Sequence, residues 1–242
     1  MIWLLILAFG LIGGVIGGVV GFGASILMMP VLVFAFGPKE AVPIMAIASV
    51  LANWMRVAIW WREVDWRANA AYCATAVPAA ALGARTLIAL DARMVETALG
   101  VFLIAVVPVR RWLTARGFSV NLWGLAVVGA FIGFLTGLVA STGPLNTPFF
   151  LAYGLTKGAY ISTEAVGSGA VSLVKSLVFR TYGILPWETI ARGLLCGGSL
   201  MVGSYFAKAI VQRMDARHYS GILEGMMVVA GLTMIYAAMR VS

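Results

Sequence analysis

Charge is what this sequence lacks most. Only 11% of its 242 residues are charged, and just 9 are Asp or Glu, whereas a globular domain in water carries about 25% charged residues. Histidine occurs once, as His218, and cysteine twice, as Cys73 and Cys196. The cysteines stand far apart inside apolar segments and form no C-x-x-C pair, which argues against a thiol-redox centre and leaves them as small buried hydrophobes. His218 sits beside Arg217 at an expected helix end. A nucleophile such as Ser168, in the GSG of Gly167 to Gly169, is therefore not expected to find a histidine base within hydrogen-bond reach. No cluster of His, Cys and carboxylates suggests a metal, and no cofactor is indicated. An enzyme is the weakest reading of the chain.

What fills the sequence instead is apolar. Hydrophobic residues make up 62% of it, in continuous runs rather than in alternation. In lipid only helices or closed barrels satisfy their own backbone groups, and unbroken apolar runs mark helices. The expected fold class is an all-α integral membrane protein. Its 17 basic residues give a net charge of +8, but they lie in short loops: Arg62 and Arg67, Arg110, Arg111 and Arg116, Arg213 and Arg217. Membrane orientation produces that distribution, and nucleic acid is not implied. The opening MIWLLILAFG has no basic flank and no cleavage motif, so it reads as a retained first helix.

Two uncharged apolar blocks dominate the chain. The first runs from Met1 to Pro38 and the second from Phe118 to Thr156; each is too long for a single span, which takes ~20 residues. Each is broken by a glycine- or proline-rich stretch, GGVVGFGASILMMP (Gly17 to Pro30) and TGLVASTGPLNTP (Thr136 to Pro148). Broken apolar segments at corresponding places in two halves point to a transporter's binding site. Three spans are expected after each block, at roughly 42–61, 68–90 and 94–113, then at 163–182, 189–210 and 218–239. Trp60, Trp61 and Trp66 cluster at one junction, and Trp112, Trp123 and Trp187 mark others, as membrane interfaces require.

The halves correspond beyond their blocks. Lys39 and Lys157, Arg56 and Lys175, Trp66 and Trp187, and LDAR (Leu90 to Arg93) and MDAR (Met214 to Arg217) recur at a slowly drifting offset. Residues 1–117 and 118–242 are thus read as two repeats, giving about eight membrane segments. If each block crosses once, the repeats are parallel. If each enters, turns at its glycines and returns, they are inverted, and the length and broken middle of the blocks favour that second form.

The blocks also suggest the site. Gly13, Gly14, Gly17 and Gly18 suit close helix packing. Gly21, Phe22, Gly23 and Ser25 combine backbone freedom with a hydroxyl, and Ser25 is placed to cap a half helix that starts near Ile26 and ends at Pro30. In the second block Ser141, Thr142 and Gly143 precede Pro144, which suits a first helical turn, with Asn146 just inside. Two half-helix N-termini facing each other would offer free N–H groups to an anion. A cation site would want carboxylates, and neither block contains one. In the following spans Asn53 and Arg56 share one helix face, and Ser172 and Lys175 repeat the arrangement. Ionisable residues inside a span are expensive and usually functional, although both cations could also snorkel to an interface. Glu96, Glu164 and Glu224 fall near expected span ends, where solvated or ion-paired carboxylates are ordinary; carrying a coupling proton is the minor reading. Met28 and Met29 are read as packing residues.

GGVVGFGASILMMPVLVFAFG, followed by KEAVPIMAIASVLANWMRVAIWW, resembles the TauE/SafE family, also called TSUP permeases. The likeness extends over the whole chain, with STGPLNTP the looser match. It implies a bacterial inner-membrane transporter, usually an exporter, of sulfite or organosulfonates such as sulfoacetate. The expected partners are then a small anion and the lipid bilayer, with a proton as candidate coupling ion and the oligomeric state open. An anion channel of the same architecture is the second reading, and an intramembrane enzyme the third.

Overall fold

Long apolar runs without charge fold as helices, and in the computed structural model every regular element among the described residues is helical. The structure describes residues 2–89, 119–138 and 143–215, with isolated positions from 218 to 225. The helices are α1 (Ile2–Val20), α2 (Ala24–Phe36), α3 (Pro38–Trp60), α4 (Trp66–Ala89), α5 (Leu122–Leu138), α6 (Gly143–Ala152), α7 (Lys157–Thr181) and α8 (Trp187–Arg213), with a 3-10 turn at Trp61–Glu63. The expected span 94–113, and all but isolated positions of 218–239, lie outside the described residues.

Four stretches among the described residues are long and apolar enough to cross a membrane: Ile2–Val20, Glu40–Glu63, Trp66–Ile88 and Trp187–Arg213. The distribution of polarity is that of a lipid-embedded bundle. Phe34 is 82% exposed while Glu164 is 2% exposed, and Asn53, Arg56 and Lys175 are buried as well. Water would reverse that arrangement; hydrocarbon favours it. Trp66, Trp123 and Trp187 begin α4, α5 and α8 with exposed rings, where an interfacial belt would hold them.

Each apolar block folds back on itself. Trp3 near the start of α1 packs at a tilt against Phe36 at the end of α2, with ring centroids 5.5 Å apart, and Gly13 and Gly17 lie against Ala24. The turn between them passes through Gly21 and Gly23 at φ 85° and 100°, a left-handed region that side chains other than glycine enter reluctantly. In the second block the Val120 N–H donates to the Ala152 carbonyl at 3.1 Å, closing the base of an α5–α6 hairpin.

Neighbouring helices fix the direction of each hairpin. α1 runs parallel to α8, with Gly10 against Ser199, Gly14 against Leu200 and Gly18 against Ala207. α8 in turn runs parallel to α3: Gly193 meets Ile44 and Ile47, and Gly197 meets Ala48 and Leu51. α5 runs parallel to α4 through Gly129 on Tyr72, Gly133 on Ala76 and Gly137 on Ala80. Small residues at these contacts let the backbones approach, which is how helices associate where water supplies no driving force. α7 begins beside the end of α3, with Gly158 against Trp60 and Glu63, and ends beside the end of α4, where the Arg85 Nε donates to the Tyr182 hydroxyl at 3.2 Å. Hence α1, α3 and α8 run one way and α4, α5 and α7 the other. The two hairpins open at opposite ends of the bundle.

Three local expectations need correction. α7 starts at Lys157 rather than near residue 163. Ser162, Thr163 and Glu164 stand at the edge of the expected span, but their polar groups are satisfied inside the bundle. Ser162 Oγ donates to the Gly158 carbonyl at 2.8 Å, and Thr163 Oγ1 accepts from the Asp65 N–H at 2.9 Å. α2 begins at Ala24 with Gly23 as its N-cap and no side-chain cap, so Ser25 is a residue of the first turn and not the cap. α2 also continues through Pro30 to Phe36, since a proline within a membrane bundle need not end a helix.

Candidate functional site

The start of α6 meets the tip of the first hairpin. A side chain at Gly143, the first residue of α6, would strike Phe22 of the first tip. Between them lies a cavity of about 50 Å3, lined by Gly21, Phe22, Gly23 and Ser25 of the first hairpin, Thr136 and Gly143 of the second, Ser49, Asn53 and Arg56 of α3, and Glu164, Ser168 and Ser172 of α7. A water molecule needs roughly 10–15 Å3 measured this way, so the space holds a few waters or a group of similar size. Of the residues expected to bind substrate, Gly21, Phe22, Gly23, Ser25, Asn53, Arg56, Gly143 and Ser172 line it. Ser141 and Thr142 lie outside the described residues. Asn146 stands one layer behind, and Lys175 does not line the cavity.

Arg56 is the hub. It is buried four residues before the end of α3, and it turns inward rather than snorkelling. Its guanidinium donates to the Gly21 carbonyl and to Asn53 Oδ1, reaches the Gly17 carbonyl at 3.5 Å, and pairs with Glu164 Oε2 at 3.3 Å. The carbonyls belong to the C-terminal end of α1 and the tip beyond it, where a helix leaves acceptors unsatisfied and carries partial negative charge. The opposite pole, the N-terminus of α2, remains turned to the cavity.

Glu164 completes the constellation. Its Oε1 accepts from Ser168 Oγ and from Asn146 Nδ2 at 3.5 Å, and Asn146 Oδ1 accepts from the Tyr72 hydroxyl at 3.0 Å. Tyr160, one turn earlier, packs its ring on Gly21 and shares a 2.7 Å hydrogen bond with Thr147 Oγ1. The carboxylate thus ties α7 to α3 and α6 and, through Asn146, to α4 at the level where the hairpins meet. A family model described as sulfite exporter TauE/SafE matches residues 6–234 of this chain. The chain belongs to the TauE/SafE family. No curated protein and no solved structure matches it. TauE/SafE proteins are transporters of the sulfite-exporter type, and with four stretches able to cross a membrane this one is a multi-pass membrane protein.

Within this TauE/SafE chain the second buried cation, Lys175, has a role parallel to that of Arg56. Its ammonium donates to the Thr136 carbonyl at 3.1 Å, in the last turn of α5, and lies 5.6 Å from the ring centre of Phe179. Each cation therefore serves the carbonyl end of the first helix of a hairpin. Lys175→Met removes a charged donor from a partly buried carbonyl, a loss worth about 1–3 kcal/mol. Thermal unfolding in detergent should fall accordingly, with Lys175→Arg recovering most of it. A Lys175→Met protein that melts like wild type would remove this capping role.

The carboxylate is the functional-site candidate that stands at an expected span end in the sequence, yet a signal is present. Ser49, Asn53 and Arg56 on α3 and Ser168, Ser172 and Lys175 on α7 have the same spacing. One turn before each triplet stand Met45 and Glu164, and both line the cavity. A helix that starts at Lys157 moves Glu164 from the end of the expected span to its interior, on that polar face.

Proposed function

We propose that this chain is a secondary transporter, working as an exporter, for a small sulfur oxyanion or organosulfonate held in the cavity between the hairpin tips. The observation that carries the reading is the convergence there of two broken apolar segments, the N-termini of α2 and α6, and the buried Arg56. Helix N-termini and a guanidinium are the groups that stabilise an oxyanion in a dry site. Ser25, Asn53, Ser172 and Asn146, with the Gly21–Gly23 backbone and Gly143, would supply neutral contacts. Lys175 would act through the second hairpin. The reading also takes residues 1–117 and 118–242 as inverted repeats, which the opposite opening of the hairpins supports, and has one rock against the other during transport.

The purified full chain in liposomes should show saturable flux of sulfite or methanesulfonate. Asn53→Ala removes a polar contact and an acceptor of Arg56; at about 1–2 kcal/mol, equivalent to roughly a 5- to 30-fold change, it should weaken binding by that factor. Absence of flux for every sulfur oxyanion tested would sink the assignment. Flux that does not saturate would point instead to an anion channel of the same architecture.

A further inference from the structure

Among its lining residues the cavity holds two charged side chains, Arg56 and Glu164, 3.3 Å apart. With both members of that pair ionised the empty cavity is neutral, and the carboxylate occupies the position against the guanidinium that an anionic substrate would seek. The second repeat alone supplies this acid, since the corresponding residue of the first is Met45. Both oxygens of Glu164 are engaged, by Arg56 on one side and by Ser168 and Asn146 on the other. The ionisable groups facing it are Arg56 from α3 and Tyr72 from α4. Tyr160 precedes it on α7, Tyr219 packs in the same cluster as Tyr160, and α1, α2, α5 and α6 contain no ionisable side chain.

An anion brought to Arg56 sets a second negative charge beside Glu164 in a space with little water. Two such charges at one site do not both stay ionised. We propose that Glu164 takes up one proton from solution as the anion binds and gives it back when the anion leaves, making the proton the coupling ion. This rests on the reading of the cavity as the anion site. An O–H bond forms on the Glu164 carboxylate, and Arg56 stays a cation and exchanges the carboxylate for the substrate. No electrons move, and for a monoanion the net charge of the cavity is unchanged. Proton and anion travel in the same direction, so a monoanion crosses without moving net charge.

The experiment uses the full chain and methanesulfonate, whose sulfonate does not itself titrate near neutral pH. In weakly buffered solution with a pH dye, wild-type protein should take up about one proton per anion bound, and apparent affinity should fall about tenfold for each unit of rising pH. In vesicles, flux should follow an imposed pH difference and ignore an imposed membrane potential. Glu164→Gln should lose the proton uptake and make the remaining affinity independent of pH, while Glu164→Asp should keep the uptake and the pH dependence. Binding to wild type without proton uptake, at an affinity that does not change with pH, overturns the proposal. Should Glu164→Gln fail to fold, the wild-type stoichiometry decides alone. Failure of methanesulfonate, sulfite and sulfate alike to bind overturns the anion site beneath it, a result distinguishable from binding without protons.

Discussion

Arg56→Met is expected to destabilise the protein by about 3–5 kcal/mol, the usual consequence of leaving one member of a buried ion pair without the other. The guanidinium holds Glu164, Asn53 and the Gly21 carbonyl together, and a methionine of similar length restores none of these contacts. The informative comparison is the double variant Arg56→Met with Glu164→Gln. Removing both charges takes away the uncompensated carboxylate, and much of the lost stability should return, because a buried pair contributes little beyond what neutral groups of equal volume provide. Anion binding should not return, since no positive side chain remains among the described lining residues of the cavity. Thermal unfolding and methanesulfonate binding, measured on the same preparations, read the two quantities separately. A double variant that binds the anion as wild type does would remove Arg56 from the site.

Gly21→Ala should have the second large effect, through geometry instead of charge. The backbone there sits at φ 85°, and an added Cβ would lie 2.9 Å from the ring edge and hydroxyl of Tyr160. The left-handed conformation costs about 1–2 kcal/mol for a residue with a side chain, and overpacking a filled site adds roughly 1–3 kcal/mol. Tyr160 cannot easily give way, because it is fully buried and bonded to Thr147. The tip must shift instead, carrying the Gly21 carbonyl away from Arg56. Transport should be lost in Gly21→Ala while much of the bundle still folds, and Tyr160→Ala in the same chain should recover part of it. Additive effects of the two substitutions would show that the tip and the ring are not coupled.

Much of this architecture is legible in the residues. The glycines of the first block do mark a turn, and Arg56 lines the space beside that turn. The polar triplets Ser49, Asn53, Arg56 and Ser168, Ser172, Lys175 carry the correspondence between the halves onto α3 and α7. What escaped is of one physical kind. The partners of Arg56 and Lys175 are largely backbone carbonyls, at Gly17, Gly21 and Thr136, and every residue has a carbonyl, so no composition or spacing announces them. Glu164 stands at the edge of the expected span, and its inward place follows from contacts the sequence does not announce, the Asp65 N–H donating to Thr163 Oγ1 and the Asn69 amide to the Thr163 carbonyl at 2.8 Å. The Ser25 hydroxyl reads as a cap because capping is a common use of a serine there; a glycine N-cap leaves it to the cavity.

The unequal pair Met45 and Glu164 has a last consequence. If the carrier alternates by letting each half adopt the posture of the other, identical halves would make its two end states equal in energy, and the empty protein would face either side of the membrane equally often. A thioether in one half and an acid in the other remove that equality. Which half cradles Arg56 more closely then differs between the two postures, so the unloaded carrier has a resting side. The amino-acid difference at one helical turn would give a symmetric machine a preferred direction of waiting.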